Sequence, residues 1–257
     1  MALEQVSCSF PGRRGEVLAI ADVSLRIERG EFVCILGPSG SGKSTVLNLV
    51  AGLLKPSQGR VHGLSGDITG PGPDRAVVFQ EAALFPWLTL QHNVEYPLSL
   101  RGVPREGRAR ESERLLRLVH LWRFRERYPH ELSGGMRQRG AIARALAGDP
   151  HVLLMDEPFG ALDAQTRELL HAELERVFLA TRKTVLFVTH SVLEAIRLAD
   201  RVVVMGTRPG RVLKELRIDL PRPRHPADER VAELVVEAGA SIAREVDKVA
   251  REEAEHG

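Results

Sequence analysis

Short apolar runs bounded by turn residues alternate with amphipathic stretches of helix length along most of the chain. Near the start, Gln5 to Phe10 and Ala21 to Ile27 alternate at period two, which predicts strands with one buried face. Pro11-Gly12 and Arg29-Gly30 read as turns. The run Glu31-Phe32-Val33-Cys34-Ile35-Leu36 has strand length and is apolar from Phe32 onward. Behind it, Val46, Leu49, Val50 and Leu53 recur at helical spacing, predicting a helix that ends near Gly52. Pro56 to Gly59 reads as another turn. Gly63 to Pro73 reads as a loop leading to a strand over Arg75 to Phe79, which delivers Gln80.

From about Gln91 to Leu146 the texture changes to helices. Leu115, Leu116 and Val119 line one face, with Arg110, Arg114 and Arg117 on the polar side. Ser133 suits the N-cap of a helix running to Leu146, and Gly148 suits its stop. Strands return at Val152 to Met155, a continuous apolar run of the kind buried on both faces of a parallel sheet, followed by Asp156-Glu157-Pro158. A helix from about Ala164 to Ala180 places Leu170, Leu174, Val177 and Phe178 on one side. Next come a strand from Thr184 to Val188 ending at Thr189-His190, a helix, and a strand over Arg201 to Met205. This alternation predicts a doubly wound α/β core over 1–90 and 150–225, with a helical insertion over 91–149. Pro221 to Pro226 reads as an extended linker. A C-terminal segment, 226–257, forms a last amphipathic helix through Val231, Leu234, Val235, Ala238, Ile242, Val246 and Val249, docked on its own core or on a partner.

Composition narrows the function. With 257 residues the chain can bury a substantial core, and 43% hydrophobic with 27% charged residues is ordinary for a soluble globular protein. A formal net charge of +2 argues against nucleic acid as the main partner, which usually needs a concentrated basic face. The basic cluster from Arg101 to Arg117 is interleaved with glutamates and reads as a solvated helix face. Cys8 and Cys34 imply no disulfide framework, and a thiol inside the apolar run at Cys34 suits a reducing compartment. The N-terminus lacks a basic segment followed by an apolar stretch, so no signal peptide is expected. No apolar run approaches the length of a membrane span, so service at a membrane would go through a partner.

The chemistry centres on Gly37-Pro38-Ser39-Gly40-Ser41-Gly42-Lys43-Ser44-Thr45, which matches the G-x-x-x-x-G-K-[ST] phosphate loop. A glycine-rich turn that binds nothing is the plain alternative; a strand before it and a helix behind it favour a nucleoside triphosphate site. Gly40 and Gly42 let the backbone curl so that N–H groups converge on an anion, at the positive end of a helix dipole. Lys43 can reach the β/γ-phosphates and Ser44 can hold Mg²⁺. Asp156 and Glu157 close an apolar strand and can supply a Mg²⁺ carboxylate and a group that activates water. His190 could donate to a γ-phosphate or be structural. Gln80 can reach Mg²⁺ or water, although a strand-end glutamine alone is more often without such a role.

Together these motifs resemble the ATP-binding subunit of ABC transporters over essentially the full chain. Leu132-Ser133-Gly134-Gly135-Met136-Arg137-Gln138-Arg139 resembles the ABC signature, which separates these proteins from other phosphate-loop ATPases. Gln80 matches the Q-loop glutamine, Gly160-Ala161-Leu162-Asp163 the D-loop and His190 the switch histidine; Phe10 stands where an aromatic commonly stacks on adenine. The resemblance implies a phosphate-loop (RecA-like) core with an N-terminal antiparallel β subdomain and an inserted α-helical subdomain. It further implies ATP and Mg²⁺, with Glu157 as base and Asp156 holding the metal. Two copies would associate head to tail on ATP, each triphosphate lying between one copy's phosphate loop and the other's Ser133, Gly134 and Gly135. An integral membrane permease, and indirectly an extracytoplasmic substrate-binding protein, would complete a transporter at the cytoplasmic face of the cell membrane.

Met136 replaces the glutamine common after the signature glycines, and Gly160 a common D-loop serine. Both variants resemble importers of the nitrate, sulfonate and taurine group, as do Gly70 to Arg75, Phe85 to Thr89, Arg208 to Arg211 and Leu220 to Arg224. Leu84, Phe85, Trp87 and Leu88 form either a dock for a helix of the permease or packing between core and insertion. A rival class, a soluble ABC ATPase acting on nucleic acid or the ribosome, would carry a long coiled coil or two ATPase halves. No heptad run lies between Lys43 and Ser133, and only one motif set is present. A regulatory module without hydrolysis would not be expected to keep both Glu157 and His190.

Overall fold

The computed structural model describes the chain apart from Arg13, Arg14, Ser65, Ala161 and Gly257 and the side chains of Val246 and residues 248–256. Two compact units are present, one of Met1–Gly72 with Thr184–Gly257, the other Pro73–Lys183. The first begins with strands β1 (Ala2–Gly12), β2 (Gly15–Arg26) and β3 (Phe32–Leu36), helix α1 (Lys43–Ala51) and strand β4 (Gln58–His62). The second holds β5 (Arg75–Val78), α2 (Leu90–Leu100), α3 (Arg105–Leu118), α4 (Gly134–Ala147), β6 (Val152–Asp156) and α5 (Ala164–Thr181). The chain then returns to the first through β7 (Thr184–Thr189), α6 (Val192–Leu198), β8 (Arg201–Gly206), β9 (Arg211–Arg217) and α7 (Glu229–His256).

In the first unit β2, β1 and β4 form an antiparallel sheet in that order. The period-two pattern holds only piecewise. Leu3 and Val6 are both buried although three residues apart, because Gln5 is left-handed at φ 49° and the register shifts there. Asp22 does the same in β2, its N–H donating to Ser7 Oγ at 3.1 Å. Strand β4 corrects the reading of Pro56 to Gly59 as a turn, since Gln58 and Gly59 lie within it. Val61, opposite Leu3, is its only buried residue, so no apolar alternation marked it.

The fully buried β3 pairs in parallel with β7 and β8, and β9 adds an antiparallel edge on β8. Leu53, placed on the apolar face of the helix by its spacing, lies beyond the left-handed Gly52 that ends α1 and is exposed. The expected linker at Pro221 to Pro226 is anchored instead. Arg224 is 4% exposed, and its guanidinium donates to the carbonyls of Ile196, Arg197 and Ala199 at the end of α6 and of Ile218 and Leu220. It thereby satisfies carbonyls that a helix C-terminus leaves unpaired. α7 docks on its own unit, burying Val231 and Ala238, while Glu245 accepts the Thr207 N–H at 2.8 Å. Val246, Val249 and Ala161, named in the sequence reading, fall outside what is described.

In the second unit β5 and β6 pair in parallel, Val78 opposite Met155. Leu90, Val94 and Leu98 of α2 join Leu115 and Leu116 of α3 and Ile142 and Leu146 of α4 in the core of this unit. Arg114 pairs with Glu111 and Arg117 with Glu113 on the exposed side of α3, the solvated face that the interleaved charges predict. Among the described residues no helix is long and apolar enough to cross a membrane.

Candidate functional site

The phosphate-loop segment leaves β3 at Gly37 and enters α1 at Lys43. Gly42 is the N-cap at φ 78°, and no side chain caps the helix there. A Cβ at Gly42 would stand 2.3 Å from Ile20 Cγ2, so both conformation and space demand glycine. From the other side the Arg208 to Arg211 turn closes in: Gly210 donates to Ala19 O at 2.8 Å, and a Cβ on it would lie 2.3 Å from Ser41 O. In the sequence that turn shows only a family likeness; in the fold its glycine backs the loop. Lys43 is 5% exposed, its ammonium donating to the Pro38 carbonyl at 2.9 Å. Ser41 Oγ is buried without a hydrogen-bond partner among the described residues. A buried lysine and an unpartnered hydroxyl at the head of a helix that no side chain caps suit a phosphate group.

Leu36 pairs with Thr189, so Gly37 and His190 leave neighbouring strands at the same level. His190 is exposed, as is the Ser44 residue. The buried Thr189 hydroxyl behind His190 donates to Glu194 at 2.5 Å and accepts the Ser191 N–H at 3.0 Å, which fixes the strand end. Phe10 lies in β1 opposite Val17, and both are on an exposed face rather than in the core. Burial pushes the Cys34 thiol well above its ordinary value, so it stays protonated within β3.

In the other unit Gln80 and Glu157 each follow a matched pair, Val78 and Met155, by two residues. Glu157 is left-handed at φ 41°, an uncommon conformation for a residue with a side chain. Asp156 ends β6, half-buried. Ser133 caps α4, its Oγ accepting from Met136 N at 3.3 Å, and Asp163 caps α5, accepting from Thr166 N at 2.9 Å. The Thr166 hydrogen bonds hold the Asp163 carboxyl below its ordinary pKa. A Cβ on Gly135 would stand 2.5 Å from Thr166 Cγ2 and one on Gly134 3.4 Å from Leu162, so the two capped helix heads lie side by side. The phosphate loop, Phe10 and His190 thus share one unit. Gln80, Asp156, Glu157, Ser133 and Asp163 share the other.

An α/β chain that sets a phosphate loop between a buried strand and a helix is built as a nucleoside triphosphatase. The model of the ABC transporter family matches residues 20–160. The nitrate import ATP-binding protein NrtD of Synechocystis sp. is 50% identical over 212 residues, covering 82% of this chain and 80% of that protein. A taurine import ATP-binding protein TauB of Burkholderia pseudomallei is 47% identical over 222 residues, 86% of this chain and 85% of the relative. Among solved structures, a dimeric bacterial ABC transporter cassette superposes with a TM-score of 0.75 at 36% identity, covering 86% of this chain and 99% of the cassette. A dimeric cassette in a post-hydrolysis state with ADP and Pi gives 0.74 at 35% identity, with the same coverage. The chain belongs to the ABC transporter family, as an ATP-binding subunit and an ATPase.

Proposed function

We propose that this ATPase powers import of a small anion of the nitrate, sulfonate or taurine type through a separate membrane permease, working as a dimer that closes on ATP. The observation that carries the docking half is an apolar groove of about 450 Å³ in the Pro73–Lys183 unit, lined by Phe79, Phe85, Tyr96, Pro97 and Leu100. Leu84 turns inward towards the space beside Gly140, whereas Trp87 stays 71% exposed with its ring 5.4 Å from Phe85. The packing reading therefore suits Leu84, and the docking reading suits Phe85 and Trp87. Asn93 holds the loop in place, bonding Phe85 N and the carbonyls of Phe85, Leu88 and Thr89. The cargo class rests on kinship with nitrate and taurine import subunits alone. An extracytoplasmic binding protein would choose the solute, and the subunit would sit at the cytoplasmic face of the membrane.

In this reading residues Gly37 to Thr45 cradle the triphosphate, Lys43 reaches its β/γ end, and Phe10 packs on the base. Glu157 takes the proton from the attacking water, and His190 donates to the γ-phosphate as charge grows on it. Ser44, Asp156 and Gln80 offer hard oxygen donors suited to Mg²⁺, which would neutralise phosphate charge when bound. Ser133, Gly134 and Gly135 of one copy, with Asp163 beside them, would close on the nucleotide held by the other. Hydrolysis then removes the phosphate that bridged the two, a population shift reset by chemistry. Residues 91–149 and 226–257 are proposed as the signature-bearing and C-terminal modules of this machine.

Reconstitution with co-purified membrane partners tests the whole reading: nitrate, taurine or another sulfonate, with its binding protein, should raise the ATPase rate. Glu157→Gln should cut turnover by about 10²-fold or more while ATP still binds and drives dimerisation. Hydrolysis at the parental rate would remove Glu157 as base. Co-purification with ribosomes or nucleic acid in place of a membrane protein would overturn the importer assignment.

A further inference from the structure

Residues 79–89, between β5 and α2, contain no strand or helix, so no backbone ladder sets their position. Side chains do so instead, Asn93 of α2 over residues 85–89 and two side chains of α4 over residues 79–85. Gln138 is 3% exposed and donates from Nε2 to the Phe79 carbonyl at 3.1 Å, one residue before Gln80. Further along the same helix Arg144 donates from Nη1 to Ala83 O at 2.6 Å and from Nη2 to Ala82 O at 3.4 Å. Its guanidinium also lies 5.3 Å from the centre of the Phe85 ring. Residues 79–85 are thus pinned at two points to the helix that Ser133 caps, while Asn93 of α2 holds residues 85–89.

The place of the Gln80 amide gives the pinning a consequence. Its Nε2 lies 3.2 Å from the place a Cβ on Gly160 would take, and that point is 3.7 Å from Glu157 Oε2. The Gln80 amide and the Glu157 carboxylate therefore border the same space, the one left open by glycine at 160. A buried amide must spend its donors, and a helix-borne donor on a loop carbonyl fixes the height of that loop.

We propose that Gln138 is a positioning residue for Gln80, its hold on the Phe79 carbonyl setting where the next side chain points, while Arg144 steadies residues 82–85 further along. This rests on the part proposed for Gln80 as an oxygen donor at the hydrolytic site.

A double-mutant cycle on the full chain tests it. Gln138→Met keeps the length of the side chain and drops the donor; it should lower kcat for ATP about tenfold and leave KM within about twofold. In a Gln80→Ala background the same change should lower kcat no further. If Gln80→Ala is impaired and the two losses multiply, Gln138 acts elsewhere and the positioning role is overturned. If Gln80→Ala turns over like the parent, the part proposed for Gln80 at the hydrolytic site fails, and the inference with it. Should thermal melting show that Gln138→Met does not fold, Gln138→Asn, whose amide is one methylene short, is read by the same criterion.

Discussion

Lys43 shows how one residue can be placed for charge before any ligand arrives. Its ammonium is drawn over the loop to the Pro38 carbonyl, and it is almost fully buried. Burying a cation is costly unless hydrogen bonds or an opposite charge compensate, and a triphosphate supplies both. Lys43→Ala should weaken ATP binding by about tenfold or more in titration calorimetry, the scale of a lost charge-assisted contact. Undiminished affinity would count against the phosphate cradle. At Gly42 a side chain meets two obstacles, a φ of 78° and the Ile20 methyl. Glu157 carries the opposite peculiarity, a side chain on a left-handed backbone. Strain of that kind persists where the surroundings impose it, as they do at functional sites.

Among the elements, α6 depends on a residue well outside itself. Its last carbonyls receive the Arg224 guanidinium from a segment that has no regular structure. Truncation would leave several buried acceptors unsatisfied at once. Arg224→Met should therefore cost about 3 kcal/mol of unfolding free energy, measured by denaturant titration, at the upper end for unpaired buried polar groups. A loss below about 0.5 kcal/mol would show that other donors reach those carbonyls. Arg224→Lys should recover only part, because an ammonium lacks the planar fork that spans separate acceptors.

For the whole molecule, the question is how a subunit with no membrane-crossing helix among its described residues drives membrane transport. The exposed Trp87 and the groove beside Phe85 and Leu100 are the apolar surface proposed for the permease. Trp87→Ala should reduce the amount of subunit retained by its membrane partner and the stimulation that partner gives. Full retention and stimulation would place the dock elsewhere. Because the Phe85 ring lies under the Arg144 guanidinium of α4 and its N–H donates to Asn93 of α2, pressure on the groove falls on two helices at once.

Local sequence specifies the phosphate loop, the Ser133 cap, the buried strands β3, β6 and β7, and the helices α1, α3, α4 and α5. Each is written in contiguous residues: glycines where φ must be positive, a hydroxyl at a helix head, an unbroken apolar run. Kinship with ABC ATP-binding subunits was legible for the same reason, since the signature and its companions are short local strings. The fold alone made strands of Gln58–His62 and Arg211–Arg217, because neither stretch carries a hydrophobic period that would mark it. It alone buried Arg224 in a stretch that reads as a linker, set Gly210 against Ser41, and turned Gln138 towards Phe79. Those contacts join residues remote in the chain, and a hydrogen bond between distant polar groups leaves no periodic trace along either partner.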